Sequence, residues 1–216
     1  MNPNSMLFWF PKIENLEIPV PKTEIVSGYV DLMQAAERIG YPVFIRTDLC
    51  AGKHDWKNSC FVQNEDQLVG NMQSVISANV RWEMLGIKYR SLVVREFLDL
   101  ETSFTAFSGD MPINKERRYF VRDGKVICHH PYWPEDTFNQ HPARMANDPD
   151  WQAKLAALND ETGEEILHEY ARKASQALPG YWSVDFAKAK NGAWYLLDAA
   201  LGENSYHWPS CTENGL

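Results

Sequence analysis

Several familiar signatures are missing from this sequence of 216 residues. Its cysteines, Cys50, Cys60, Cys128 and Cys211, form no CxxC pair, which argues against a disulfide framework or a cysteine zinc knuckle and fits a reducing, cytoplasmic setting. No apolar run approaches the roughly 20 residues of a membrane helix. The clump Met6-Leu7-Phe8-Trp9-Phe10 has no basic stretch before it and meets Pro11 at once, so it reads neither as a signal peptide nor as an anchor. Positive charge is short: 21 Lys and Arg against 29 Asp and Glu leave a net charge of −8. That balance argues against binding along a nucleic-acid backbone. There is no GxSxG, Walker A or GxGxxG motif, no internal repeat and no low-complexity segment.

What is present is the composition of a packed globular protein, 44% hydrophobic and 23% charged. The length suits one large domain or two small lobes. The alternating prolines of Ile18-Pro19-Val20-Pro21 force an extended lead-in. A helix is predicted over 28–39, with Leu32, Met33, Ala36 and Ile39 on one face and Gly40 as its stop. Pro42 opens a strand over 43–46 that runs into an irregular stretch, 47–56. After a short strand near 61–62, Asn64 and Gln67 read as the capping box of a second helix reaching towards Gly86. The β-branched, apolar run 92–97 is a buried strand. A strand over 102–107 and a hairpin of 117–122 with 125–130 follow, the hairpin turning on Asp123-Gly124. Residues 132–147 read as an irregular loop. Pro149 starts a short helix, a longer one covers 164–178, and a last hairpin, 181–190 with 193–199, turns on Asn191-Gly192.

The last hairpin is the most informative. A two-residue loop at 191–192 sets Asp185 directly opposite Asp198. Like charges facing each other destabilise a hairpin, and both are flanked by apolar residues. A hard divalent cation such as Mg²⁺, which takes one or two carboxylates plus substrate phosphates, would compensate them. A frayed sheet edge, or a register off by one, is the plainer reading. The same rule at Asp123-Gly124 sets Arg118 opposite His129 and Arg117 opposite His130. It also gives one face of that strand Glu116, Arg118 and Arg122, a set suited to phosphate oxygens; Arg122, beside the turn, reads better as solvated.

Taken in order, several pieces resemble the ATP-grasp enzymes: the lead-in Ile18-Pro19-Val20-Pro21-Lys22-Thr23, the strand Pro42-Val43-Phe44-Ile45-Arg46 with its Gly-Lys loop, and the strand Val93-Val94-Arg95-Glu96-Phe97-Leu98. The run Glu116-Arg117-Arg118-Tyr119-Phe120-Val121 and the Asp185/Asp198 hairpin complete the set. The chain looks most like the divergent branch that uses two arginines and a lysine as nucleotide-binding cations, to which a eukaryotic cell-division-cycle assembly factor is also similar. The resemblance implies a two-lobed α+β fold with ATP and Mg²⁺ between the lobes. It divides the chain into a lead-in (1–22), an N-terminal lobe (23–98) and a C-terminal lobe (99–216), with no separate N-terminal domain before the ATP-grasp unit. It implies that Arg46 and Lys53 meet the phosphates. Arg95 is a further cation under the resemblance, or else the partner of a neighbouring carboxylate. Glu96, Phe97 and Leu98 form the hinge beside the adenine, and Asp99 or Glu101 takes the ribose hydroxyls. Arg118, with Lys53, acts on the γ-phosphate or the transferred group, Glu116 orients Arg118, and Asp185 and Asp198 hold the metal.

One departure from the pattern bears on the metal. Most members carry an Asn two residues after the second carboxylate, where this chain has Ala200; Glu203 or Asn204 would substitute, or one metal ion is held instead of two. The tail Gly202-Glu203-Asn204-Ser205-Tyr206-His207-Trp208 reads as the wall of an acceptor pocket or as a packed terminus. By resemblance the activity is ATP-dependent ligation of a small-molecule or peptide carboxylate to an amine through an acyl phosphate. The alternatives are an ATP-binding assembly factor with a protein partner and a kinase-like phosphotransferase. Two weaker candidates are a zinc set of Cys128, His129, His130 and His141, disfavoured because strand neighbours point to opposite faces, and a His54-Asp55 acid/base pair. The eight tryptophans read as core and interlobe packing and not as a platform for bases.

Overall fold

The computed structural model describes residues 2–84, 86–107, 110–139, 144–162, 164–209 and 211. Candidate His141 and the side chain of His54 lie outside the described residues. The chain runs α1 (Met6–Ile13), β1 (Thr23–Val26), α2 (Tyr29–Ile39), β2 (Val43–Thr47), β3 (Phe61–Val62), α3 (Glu65–Ala78), α4 (Val80–Met84) and β4 (Leu92–Glu96). It continues with β5 (Thr102–Ala106), β6 (Met111–Asn114), β7 (Glu116–Arg122), β8 (Lys125–Pro131), α5 (Asp136–Asn139), α6 (Trp151–Leu158), α7 (Glu165–Ala177), β9 (Tyr181–Lys188) and β10 (Trp194–Leu201). Two four-stranded antiparallel sheets result, β1-β4-β2-β3 and β10-β9-β7-β8, with β5 and β6 as a separate pair. Among the described residues no helix is long and apolar enough to cross a membrane.

The first sheet buries Val43, Ile45 and Val94 against Leu32, Ala35 and Ala36 of α2 and Leu68 and Val75 of α3. Strand β4 is buried on both faces: Val94 points into this core, while Val93 joins the core of the second sheet with Tyr119, Val184, Phe186 and Leu196. That double burial explains the unbroken apolar run read from the sequence.

The lead-in expected over 1–22 is extended only in its second half, because α1 occupies the clump around Pro11. Pro11 removes one rung of the helix's hydrogen-bond ladder, and tertiary burial compensates: Met6, Trp9, Phe10 and Ile13 all enter the core of the second sheet. The second helix, expected to run unbroken towards Gly86, splits at Asn79, whose amide donates to the Val75 carbonyl (2.8 Å) and whose side-chain oxygen accepts from the Thr47 hydroxyl (2.8 Å). Asn64 is its N-cap without a side-chain bond; Gln67 instead accepts from the Gln63 amide, one residue earlier than a capping box requires.

Behind β7, Arg117 is fully buried and grips both oxygens of Glu164 (2.6 and 2.7 Å), with Lys115 at 3.4 Å. Removing one member of such a pair leaves an uncompensated buried charge, at about 3–5 kcal/mol. Glu164→Ala is therefore expected to lower unfolding stability by that amount, measured as a reduced urea midpoint at unchanged slope; a loss below about 1 kcal/mol would show the pair to be well solvated.

Candidate active site

The two sheets face each other across a cleft of about 1100 Å³ lined by residues of both. The second sheet presents a row of polar residues to it. Arg118 on β7 is in register with Asp185 on β9, and Asp185 with Asp198 on β10. Arg118 donates to both oxygens of Asp185 (2.8 Å each). Asp198, 42% exposed, accepts from Arg46 of the opposite sheet at 3.1 Å.

The pairing of Asp185 with Asp198 is the expected one, but its cause differs. Nearer the turn the strands are in a different register, Trp194 with Lys188 and Leu196 with Phe186, and a bulge at Leu197 shifts the ladder by one to bring the aspartates opposite. The bulge also turns the Leu197 carbonyl to Arg95, which donates to it at 2.6 Å. In the other hairpin a bulge moves the expected pairs: Arg118 faces His130, and Arg117 faces Pro131. The side of the strand is unchanged, so Glu116 and Arg118 still line the cleft. Arg122 does not; its guanidinium lies over the Tyr181 ring (4.4 Å).

Four cations converge. Arg46 and Arg95 are buried at 6% and 4% exposure, on β2 and β4 of the first sheet. Arg95 has no carboxylate partner among the described residues: it holds Leu197 and the Thr23 hydroxyl (3.1 Å), and its buried Nη2 has no hydrogen-bond partner among them. Burial first, and then the adjacent charge of Arg46, depress the Arg95 guanidinium below the usual arginine range. A buried, unpaired donor beside a second cation is a place for an anion. Lys53 follows Gly52, whose left-handed backbone (φ 63°) starts a short 3₁₀ segment, Lys53–Asn58. A Cβ on Gly52 would come within 3.2 Å of Ala78. The Lys53 ammonium donates to the Tyr132 hydroxyl (3.2 Å). Burial opposes its charge, but Tyr132, Glu116 and Asp185 outweigh burial and hold it above the usual lysine range. Burial likewise opposes the Arg118 charge, and Asp185 more than restores it. Glu116, deep among these groups, is pushed up by burial and by Asp185, while Lys53 pulls it down.

At the far side, Phe97 packs on Phe61 (4.8 Å) and Trp56 (6.2 Å), and Trp56 on Phe44 (5.7 Å). Glu96, Phe97 and Leu98 line the cleft beside this aromatic wall. The Glu96 amide donates to the Lys22 carbonyl, whereas Phe97 and Leu98 make no backbone hydrogen bond to other described residues. An apolar slot with an open peptide edge suits a flat heterocycle.

Three expected residues stand elsewhere. Asp99 and Glu101 do not line the cleft; they face the second hairpin, at 2.7 Å from Lys190 and 3.5 Å from Lys188. Glu203 is exposed on a 3₁₀ turn outside the cleft, while Asn204, Ser205 and Tyr206 line it. Of the two substitutes for the missing Asn, geometry thus favours Asn204. The aromatic wall of Phe44 and Trp56 was not singled out from the sequence; the Trp three residues after Lys53 was its only signal. The donor set of Asp185 and Asp198, hard oxygens at the cleft mouth beside four cations, fits Mg²⁺ with a polyphosphate.

Cys60, a thiol on the edge of this lobe, is fully buried, and burial pushes it up to about 12. Because the thiolate is the reacting species, iodoacetamide at neutral pH should spare Cys60 in the native protein and modify it in urea. Rapid native labelling of Cys60, read by peptide mass spectrometry, would contradict its burial.

A two-sheet fold with a nucleotide-sized cleft between the sheets, cations on one wall and paired carboxylates on the other, defines an ATP-grasp domain. The model of an ATP-grasp domain family, the third of the clade whose name denotes two arginines and a lysine, matches residues 20–212. The chain belongs to that family. No curated protein matches the sequence. Among solved structures it is similar to Cdc123 from Schizosaccharomyces pombe (12% identity, TM-score 0.62, covering 99% of this chain and 92% of that one). It is also similar to D-alanine–D-alanine ligase from Bacillus anthracis, solved with ATP (14%, TM-score 0.52, 92% and 53%). A third is the biotin carboxylase domain of the Hydrogenobacter thermophilus 2-oxoglutarate carboxylase, solved with MgADP, ADP and bicarbonate (13%, TM-score 0.58, 91% and 39%). The chain spans about half the length of the first ligases and synthases it matches.

Proposed function

We propose that the chain is an ATP- and Mg²⁺-dependent ligase that activates a carboxylate as an acyl phosphate for attack by an amine or similar nucleophile. The observation that carries this reading is the unpaired Nη2 of buried Arg95, in a cleft that also holds Arg46, Lys53 and Arg118. In this reading the adenine lies between the Phe44/Trp56 wall and the peptide edge of Phe97 and Leu98. Arg95, Arg46 and Lys53 take the phosphates. Arg118 is positioned by its two bonds to Asp185 and stabilises negative charge as it develops on the transferred phosphoryl group. Mg²⁺, held by Asp185 and Asp198 with Asn204 nearby, supplies neutralisation of phosphate charge. Catalysis rests on positioning and electrostatics, and no side-chain nucleophile is required.

A second reading has its own support. Cdc123 matches over nearly the whole of both chains, while the ligases match over about half of theirs. On that ground the alternative is an ATP-binding assembly factor for a protein complex. Purified chain with Mg²⁺-ATP and a panel of amino acids, peptides and small carboxylates separates the two. A ligase releases ADP only when a carboxylate and an amine are both present. ATP binding without turnover on the panel, together with a stable protein complex, favours the assembly factor, and failure to bind ATP overturns both.

A further inference from the structure

On the outer side of the second sheet, three metal-ligating side chains that are far apart in sequence come together. Cys128 lies on β8, and His207 and Cys211 lie four residues apart on the C-terminal tail. One ligand atom from each falls within 4.8 Å of the other two. Sequence sets Cys128 beside its strand neighbours His129 and His130; the fold gives it partners from the tail instead.

The geometry around His207 is specific. Its ring stacks on Phe120 at 3.6 Å between centroids, which fixes its plane. Its Nδ1 lies 3.1 Å from the Cys211 carbonyl. A carbonyl only accepts, so Nδ1 carries the proton and the lone pair is on Nε2. A backbone carbonyl that fixes the tautomer in this way is the usual support of a metal-bound histidine. That Nε2 is 3.6 Å from Cys128 Sγ. With Zn–S near 2.3 Å and Zn–N near 2.05 Å, a tetrahedral zinc separates sulfur from nitrogen by about 3.6 Å. The Tyr181 hydroxyl, 3.1 Å from the same Nε2, stands beside the set.

We propose that Cys128, His207 and Cys211 form a site for a borderline-soft divalent cation, Zn²⁺ foremost, with its fourth position open to water or to the Tyr181 hydroxyl. Two thiolates and an imidazole select zinc over the hard Mg²⁺ that suits Asp185 and Asp198. The site's role is structural: it fastens the tail to β8 directly after Tyr206, a residue that lines the cleft and whose carbonyl accepts from Arg118 at 3.5 Å.

Titration of the reduced full-length chain with Co²⁺ tests it. Wild type should bind one cobalt per chain with a thiolate-to-cobalt charge-transfer band, and Zn²⁺ should abolish the band by competition. Cys128→Ser and Cys211→Ser should each roughly halve its intensity, and His207→Ala should weaken the metal at least tenfold. Cys50→Ser, the control, should leave the band unchanged. Circular dichroism of each variant, recorded alongside, distinguishes lost ligation from lost folding. In wild type, Zn²⁺ should also slow alkylation of Cys128 and Cys211 but not of Cys50. Absence of a thiolate band in wild type, a band unaltered in the Cys128 and Cys211 variants, or a Cys128–Cys211 disulfide in protein kept with zinc would overturn the proposal.

Discussion

Replacing Arg95 with methionine raises the dissociation constant for ATP roughly 30-fold to several-thousand-fold, the range for truncating one partner of a desolvated, charge-assisted contact. Methionine retains much of the apolar stem and loses only the guanidinium. The size of the effect follows from what Arg95 lacks: a buried Nη2 without a partner among the described residues, next to the like charge of Arg46. A polyphosphate would satisfy the donor and offset the repulsion together. Arg95→Lys keeps the charge but not the fork, and should fall between wild type and Arg95→Met. Calorimetric titration of ATP into folded variants measures this. An Arg95→Met protein that binds ATP as tightly as wild type would place the phosphates elsewhere.

Asp198→Asn removes the dependence of nucleotide affinity on Mg²⁺, so that affinities with and without the ion converge. The substitution preserves shape and deletes one of two carboxylates on which the ion would rest. Asp198 is the cleaner position to test. Its bond to Arg46 is partly exposed, so its loss costs the fold little, whereas Asp185 anchors Arg118 through two bonds in a buried setting. Titrations of wild type and Asp198→Asn, each with Mg²⁺ and with chelator, give the comparison. A variant that keeps the full Mg²⁺ effect would remove Asp198 from the metal site.

The sequence disclosed the cleft better than its local geometry. Strand β4 was legible because a strand buried on both faces has an unbroken apolar run. Asp185 and Asp198 were legible only because two departures cancel: the last turn sets a register one residue away from that of a two-residue loop, and the bulge at Leu197 shifts it back. Turn type can be read from Asn191-Gly192, but a bulge is set by what the strand meets, here Arg95 from the other lobe. The same limit displaced the partners of Arg117 and Arg118. Asp99 and Glu101 sit at the right place in the chain for a ribose contact, yet lysines on the second hairpin draw them out of the cleft. Helix α1 was hidden because Pro11 argues against it locally, and only contacts with residues more than a hundred positions away repay the lost bond. For Cys128, His207 and Cys211 there was no local signal: the closest pair is four residues apart, and the third ligand arrives through the pairing of β7 with β8.

A crystal structure of the chain with Mn²⁺ and a non-hydrolysable ATP analogue tests the central claim most directly. The account predicts adenine against Phe44 and Trp56 with its edge on the peptides of Phe97 and Leu98, a phosphate oxygen within hydrogen-bond reach of Arg95 Nη2, and a manganese anomalous peak at Asp185 and Asp198. Nucleotide bound outside the cleft, or bound within it with its phosphates turned away from Arg95 and the metal away from both aspartates, would contradict it.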